Sequence, residues 1–332
     1  MGIKVGVLGA GRIGKVHAKA ISSTAGAELY AVSDAFPDAA QALADQYGAR
    51  TAAIDEVSDD TNVDAVVICT PTDTHADLIE KFAHAGKAIF CEKPIDLSLE
   101  RVKACLNTVE KLGATLMLGF NRRFDPHFKA VRDAIEEGRI GDVEMVQITS
   151  RDPGAPPPDY IQVSGGIFRD MTIHDFDMAR YLLAEEIASV YATASVLVDP
   201  QIGKLGDYDS ATIVLTTVSG KHCSISNSRR ASYGYDQRIE VHGSRGAIAA
   251  ENQRPVSIEL ATSEGYLKPP LHDFFMTRYT EAYAAEIAAF VDAIVNNRAP
   301  APNGEDGLRA LALAEAALKS VAERRAVGLD EI

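Results

Sequence analysis

The sequence predicts an α/β chain of two domains: a doubly wound parallel sheet first, then an α+β domain on an open, mostly antiparallel sheet. Three observations carry this expectation. The first 120 residues alternate short apolar runs with amphipathic helical stretches, and a Gly-rich turn directly follows the first run. Beyond Phe120, strand-like segments succeed one another at hairpin spacing with few helices between them. A length of 332 residues agrees with two domains of roughly 150 residues each.

In the first domain, taken as residues 1–120, IKVGVL (3–8), ELYAVS (28–33), DAVVICT (64–70), AIFCE (88–92) and TLMLGF (115–120) read as strands buried on both faces. Between them, 75–86 carries apolar positions at Leu78, Ile79, Phe82 and Ala83 before a Gly stop. Residues 99–112 repeat the pattern with Val102, Leu106 and Val109. Strands alternating with helices at this spacing form a parallel sheet with helices on both faces.

The second domain, residues 121–332, opens with a helix from Pro126 to Glu137 that stops at Gly138. Strand-like runs follow at 143–150, 188–198, 210–218, 221–228, 237–243 and 247–251, joined by turns such as Ser219-Gly220 and Gly243-Ser244. One helix, about 172–184, interrupts them. Two helices close the chain, roughly 275–296 and 307–325, the last able to pack back on the first domain. GAPPPD (154–159) reads as a rigid loop.

A hydrophobic fraction of 46% with 24% charged residues is ordinary globular composition, sufficient for a large core. The net charge of −14 argues against nucleic-acid or anionic-membrane partners. No apolar run approaches the ~20 residues that span a bilayer, and the N-terminus reads as a strand, not a signal peptide. Cys69, Cys91, Cys105 and Cys223 form no CxxC pair and are expected to be reduced, buried thiols of a cytoplasmic protein. The eight histidines include neither HExxH nor a Cys/His zinc spacing, so no metal is expected.

The turn after the first strand, Gly9-Ala10-Gly11-Arg12-Ile13-Gly14, fits GxGxxG and leads into a helix. Glycines there permit a tight turn and close backbone approach, so the helix N-terminus faces a pyrophosphate, as in Rossmann dinucleotide-binding domains. Asp34 closes the second strand, 20 residues beyond Gly14. A carboxylate there binds the adenosine ribose 2′-hydroxyl and repels a 2′-phosphate, which favours NAD over NADP. Thr70-Pro71-Thr72, with His75 just beyond, and Glu92-Lys93-Pro94 follow two later strands, at the carboxyl ends where such sheets bind ligands. Lys93 either points its charge into that crevice or is a solvated loop lysine; residue types leave both open.

The stretch GGIFRDMTIHDFD (165–177) is the richest in chemistry. Read as a helix starting at Asp170, it sets Asp170 and His174 side by side at the i,i+4 spacing. A carboxylate beside an imidazole orients it and makes it more basic, which suits proton transfer near neutral pH. A first-turn carboxylate and a surface histidine would look the same by residue type.

AGRIG, CTPTDTHADL, CEKP, GFNRRFDPHF and GGIFRDMTIHDFDMARYL, in this order, resemble the glucose–fructose oxidoreductase and inositol dehydrogenase family. SNSRRASYGYDQRIEVHGS and FFMTRYTEAYAAEIAAF extend the resemblance over essentially the whole chain, toward bacterial members acting on inositol. The resemblance implies NAD-dependent oxidation of myo-inositol to 2-keto-myo-inositol (scyllo-inosose) in inositol catabolism. The family's EKP lysine falls on Lys93, where it contacts the substrate hydroxyl and the nicotinamide ribose. The DxxxH pair falls on Asp170 and His174. By similarity His174 takes the alcohol proton, Asp170 orients it, and Lys93 stabilises the developing alkoxide. Asn121, Arg122, Asp152 and Tyr235 resemble polyol-contacting positions, and Asn121 and Asp152 depart from some members of the family.

Two other readings stand beside this one. The same chemistry could act on scyllo-inositol, another cyclic polyol or an aldose. The fold could also serve as a non-catalytic, dinucleotide-loaded sensor, but the retention of Lys93, Asp170 and His174 speaks against it, since binding needs no proton acceptor. The resemblance also implies a homotetramer.

Overall fold

The computed structural model describes residues 2–332. The chain forms two compact units, Met1–Asp125 with Thr280–Leu311, and Pro126–Tyr279 with Ala312–Ile332.

In the first unit, β1 (Ile3–Leu8), β2 (Ala27–Ser33), β3 (Arg50–Thr51), β4 (Ala65–Ile68), β5 (Ala88–Cys91) and β6 (Leu116–Leu118) form one sheet in the order β3-β2-β1-β4-β5-β6. Every pair is parallel. β4 is buried along its whole length, which is why the run reads as continuous apolar residues without alternation. α1 (Arg12–Ser23), α2 (Pro37–Tyr47), α3 (Ile54–Asp59), α4 (His75–His84) and α5 (Leu99–Leu112) connect the strands. α5 covers the expected residues; the Ser98 hydroxyl accepts from the Arg101 N–H at its start, and Gly113 at its end is left-handed at φ 61°. The strand order reverses between β1 and β4, and in such sheets the crevice beyond the carboxyl ends at that point receives the ligand. β3 and α3 escape the sequence reading because β3 is a two-residue, fully exposed edge pairing without an apolar run.

In the second unit, β7 (Val143–Arg151), β8 (Ile187–Ser195), β9 (Ser210–Thr217), β10 (His222–Ser228), β11 (Asp236–Gly243), β12 (Gly246–Ala250) and β15 (Val327–Gly328) form a sheet ordered β12-β11-β7-β10-β9-β8-β15. Only β7 and β10 run parallel; the other neighbours are antiparallel. Burial alternates along β9 and β11, so one face is packed and the other exposed. β13 (Leu260–Thr262) and β14 (Gly265–Leu267) make a separate exposed hairpin. The helices are α6 (Pro126–Glu136), α7 (Pro158–Ser164), α8 (Gly166–Asp170), α9 (Ile173–Leu183), α10 (Pro200–Lys204) and α11 (Phe275–Arg278).

Several expected boundaries move. The loop at 154–159 runs into α7, started by Pro158. The helix expected over about 172–184 is present as α9, Ile173–Leu183, but Asp170 does not start it: Asp170 ends α8. The Met171 and Thr172 N–H groups both turn back to the Ile167 carbonyl, which closes α8. The helix expected over 275–296 is broken at the buried Tyr279, leaving α11 and α12 (Thr280–Val295). α12 and the first part of α13 (Gly304–Glu323) belong with the first unit. Tyr283 of α12 meets His17 of α1 edge-on at 5.5 Å, and a Cβ at Gly304 or Gly307 would stand 2.2 or 2.3 Å from a methyl of Leu106 or Leu118, which would have to shift.

Candidate active site

Three glycines after β1 answer three separate demands. Gly9 has φ +100°, and a Cβ there would lie 2.6 Å from the Cys69 carbonyl oxygen. Gly14 packs α1 against the turn so closely that a Cβ would stand 1.9 Å from the Gly9 oxygen. Gly11, the residue before α1, meets nothing within 4 Å, so backbone is presented to open space. α1 has no side-chain cap and no acidic residue in its first turn, and its first N–H groups remain to receive an anion. These features fit a dinucleotide pyrophosphate. Arg12 is exposed and Ile13 half-buried in the same turn.

Asp34 stands just past β2, half-buried. One carboxylate oxygen accepts from the Ala10 N–H at 2.5 Å and the other from the Phe36 N–H at 2.8 Å. The carboxylate thus holds the glycine turn as well as standing where an adenosine ribose is read.

The loops after β4 and β5 are fastened to each other. Thr70 and Thr74 share a hydroxyl hydrogen bond of 2.6 Å, and the Thr74 hydroxyl donates to the Pro71 carbonyl. His75 is buried with both ring nitrogens 2.8 Å from main-chain oxygens, Nδ1 at Pro94 and Nε2 at Thr70. His75, which the sequence counts with the cofactor set, clasps the Thr70-Pro71-Thr72 and Glu92-Lys93-Pro94 turns to each other. Lys93 is half-buried in the second turn.

Beside Lys93 lies a cluster the sequence reading missed. Glu92 Oε1 is 2.6 Å from Nε2 of the fully buried His17, and ligand atoms of His17, Glu92 and Glu286 lie within 4.8 Å of one another. Gly119 leaves the Glu92 carboxylate its room, since a Cβ there would sit 3.1 Å away. A separation of 2.6 Å is a hydrogen-bond length, so this geometry holds a proton between His17 and Glu92. Burial, reinforced by the Glu92 charge, pushes the Glu286 carboxyl well above the usual carboxylate range. Burial likewise raises the Cys69 and Cys91 thiols, which leaves them un-ionised at neutral pH.

In the second unit the Tyr160 hydroxyl donates to Asp170 Oδ1 at 2.8 Å, and Arg229 Nη1 lies 3.5 Å from Asp170 Oδ2. His174 occupies the first turn of α9, half-buried. Under it runs a buried chain in which the Thr172 hydroxyl donates to Asn227 Oδ1 at 2.7 Å and Asn227 Nδ2 donates to Asp175 at 2.8 Å. This chain ties the start of α9 to β10 and fixes the backbone that carries His174.

Of the other expected substrate contacts, Asn121 and Arg122 are buried at the start of a 3₁₀ turn, Asn121–Phe124, in the first unit. Asp152 follows β7 in the second unit, its N–H bonded to the Ser228 carbonyl. Tyr235 is buried there, its ring edge-on to Phe274 and Tyr279 at 5.8 and 5.9 Å. His17, Glu286, Tyr160, Asn227 and Arg229 went unread. For His17 the available signal was a lone imidazole on the apolar face of α1, and for Arg229 a doubled arginine directly after a strand.

Comparison with known proteins agrees with this layout. The family model described as "Oxidoreductase family, NAD-binding Rossmann fold" matches residues 3–120, and "GFO/IDH/MocA C-terminal domain" matches 128–249. The chain is 69% identical to an inositol 2-dehydrogenase of Rhizobium meliloti, covering 99% of this chain and 100% of that one. It is 38% identical to the scyllo-inositol 2-dehydrogenase (NAD(+)) of Bacillus subtilis, covering 99% and 96%. A crystal structure of a myo-inositol dehydrogenase from Corynebacterium glutamicum superimposes with a TM-score of 0.96 at 44% identity, covering 99% of each chain.

Proposed function

The chain belongs to the GFO/IDH/MocA oxidoreductase family, and on that premise we propose that it oxidises myo-inositol to 2-keto-myo-inositol with NAD as the hydride acceptor. The observation that carries this reading is the 69% identity to an inositol 2-dehydrogenase along 99% of the chain. The three glycine environments after β1 and the carboxylate at Asp34 support NAD as the dinucleotide.

Gly9, Gly11 and Gly14 would hold the pyrophosphate, Asp34 the adenosine ribose, and the turns at Thr70 and Glu92 the remainder of the cofactor. When bound, NAD would supply the acceptor for the hydride that leaves the alcohol carbon. His174 accepts the proton of the reacting hydroxyl at a ring nitrogen, and Asp170 orients it and stabilises the imidazolium that results. The Lys93 ammonium steadies the alkoxide character that builds on oxygen as the proton leaves. Asn121, Arg122, Asp152 and Tyr235 supply the polar contacts that a ring with six hydroxyls requires.

No described helix is long and apolar enough to cross a membrane. We assign the reaction to the cytoplasm, where free thiols such as those of the four buried cysteines stay reduced. We also infer a homotetramer. Tyr191 and Val214, paired across β8 and β9, stand exposed together on the open face of the sheet and would be covered by another copy.

The test is NAD reduction by purified protein with myo-inositol, scyllo-inositol, D-chiro-inositol and glucose, NADP being run in parallel. Fastest turnover with myo-inositol and NAD is expected. The 38% relative acting on scyllo-inositol favours that isomer as the second reading. Faster turnover of scyllo-inositol would adopt it, and NAD binding with no turnover of any polyol would overturn both.

A further inference from the structure

We propose that Arg229 is a positioning residue for proton transfer: a buried cation that aims Asp170 and sets how strongly its carboxylate acts on His174. The inference rests on the roles given to Asp170 and His174 above.

Arg229 is 1% exposed and heads the largest fully buried side chains of the protein. Its backbone is anchored, the Arg229 N–H donating to the Asp209 carbonyl at 2.8 Å. The Asp209 side chain in turn accepts from the Leu197, Val198 and Asp199 N–H groups at 2.7, 2.8 and 3.0 Å. These bonds fix the root of the Arg229 side chain. Nη1 lies 3.5 Å from Asp170 Oδ2 and Nη2 lies 3.6 Å from Asp207 Oδ2, while Nε and Nη2 make no hydrogen bond.

Both ion-pair distances exceed good hydrogen-bond length, so Arg229 acts on Asp170 through its charge and not through a locked fork. Asp207 is fixed from its far side. Its Oδ1 accepts from the Ile167 N–H at 2.9 Å, and Gly166 leaves the space, since a Cβ there would stand 2.6 Å from that oxygen. Within this unit, Tyr160 on α7 and Arg229 after β10 meet the Asp170 carboxylate, Asp207 before β9 faces the same guanidinium, and His174 follows in the first turn of α9.

A guanidinium without hydrogen bonds at Nε and Nη2 is an expensive way to fill a core, and an apolar side chain of similar volume would serve packing better. Its position accounts for the expense. Tyr160 holds one Asp170 oxygen and Arg229 faces the other, so the carboxylate keeps one orientation. Part of its charge is offset from behind before it reaches the imidazole.

The experiment uses the full-length protein and the variants Arg229→Gln, Arg229→Lys and Asp207→Asn. Two pH profiles are recorded: kcat/KM for polyol oxidation, and the rate at which diethyl pyrocarbonate modifies His174, followed by peptide mass spectrometry without substrate. Removing the cation favours a protonated His174, so with Arg229→Gln the acid limb of both profiles moves up by about half a pH unit or more. kcat falls about tenfold or more while NAD affinity holds. Arg229→Lys restores the limb, since it keeps the charge. Asp207→Asn, which frees more of the cation for Asp170, moves the limb down and serves alone if Arg229→Gln does not fold.

Unmoved limbs in folded variants overturn the proposal, whatever happens to rate or melting temperature. The labelling profile needs no turnover. A chain that oxidises no inositol but shows the shifted labelling limb would fail as an inositol dehydrogenase while keeping the Arg229 coupling.

Discussion

Replacing Asp34 separates the two tasks of its carboxylate. In the native turn it accepts from the Ala10 and Phe36 N–H groups at 2.5 and 2.8 Å, and in the proposed complex it also accepts from the ribose hydroxyls. A hydrogen bond to a charged group contributes about 1.5–3 kcal/mol. Losing the ribose contact in Asp34→Ala therefore raises the NAD dissociation constant by about 10- to 150-fold. NADP suffers less, because its 2′-phosphate no longer meets a carboxylate, so the preference for NAD narrows by more than NAD binding alone weakens. Asp34→Asn keeps one oxygen to accept from the Ala10 N–H, but it removes the charge and puts an NH2 donor where the other oxygen accepts from the Phe36 N–H; it should disturb the turn less than Asp34→Ala, bind NAD more weakly than the native protein and narrow the gap to NADP. The chain contains no Trp, so energy transfer from tryptophan cannot be read, and isothermal titration with NAD and NADP is the suitable assay. If both variants keep the native ratio of NAD to NADP affinity, the ribose is read elsewhere and the assignment of Asp34 is wrong.

Three further outcomes follow from the same structure. His174→Ala should lower kcat by about 10²–10⁴-fold with NAD binding intact; more than about a tenth of native kcat would remove His174 as the base. Gly14→Ala places a methyl 1.9 Å from the Gly9 oxygen; about 1–3 kcal/mol of stability should be lost in urea titration, with NAD affinity falling alongside, and an unchanged midpoint would mean the turn can open. Glu286→Gln tests the buried acid beside Glu92. Because burial raises the Glu286 carboxyl in the folded state, its contribution to stability is complete below the unfolded carboxylate range and declines as pH rises through the folded value. The glutamine variant should therefore lose less stability than the native protein as pH rises above the ordinary carboxylate range, and parallel thermal-melt profiles would contradict the raised carboxyl.

Features that repeat locally were legible in the sequence. The buried runs of β1, β4 and β5, the glycines before α1 and the Ser98 and Gly113 ends of α5 are each set by neighbours a few residues away. Edge strands such as β3 and β14 are exposed and short, so neither periodicity nor an apolar run announces them. The start of α8 is held by Asp207, forty residues downstream, whose carboxylate accepts from the Ile167 N–H. The same holds at the site. Lys93, Asp170 and His174 could be singled out by motif, whereas Glu286 matters only because α12 returns to the first unit, and Arg229 only because β10 delivers it to Asp170. Long-range partners of this kind leave no spacing to read.

The most direct test of the central claim is to follow the hydrogen itself. Purified protein would be given NAD and myo-inositol deuterated at the carbon that becomes the ketone, and both products analysed by mass spectrometry. Appearance of the deuterium in the reduced nicotinamide, together with an unlabelled 2-keto-myo-inositol, is the predicted result. Ketone formed without label in the nicotinamide, or no ketone under conditions where NAD is bound, would contradict hydride transfer from inositol as the function of this protein.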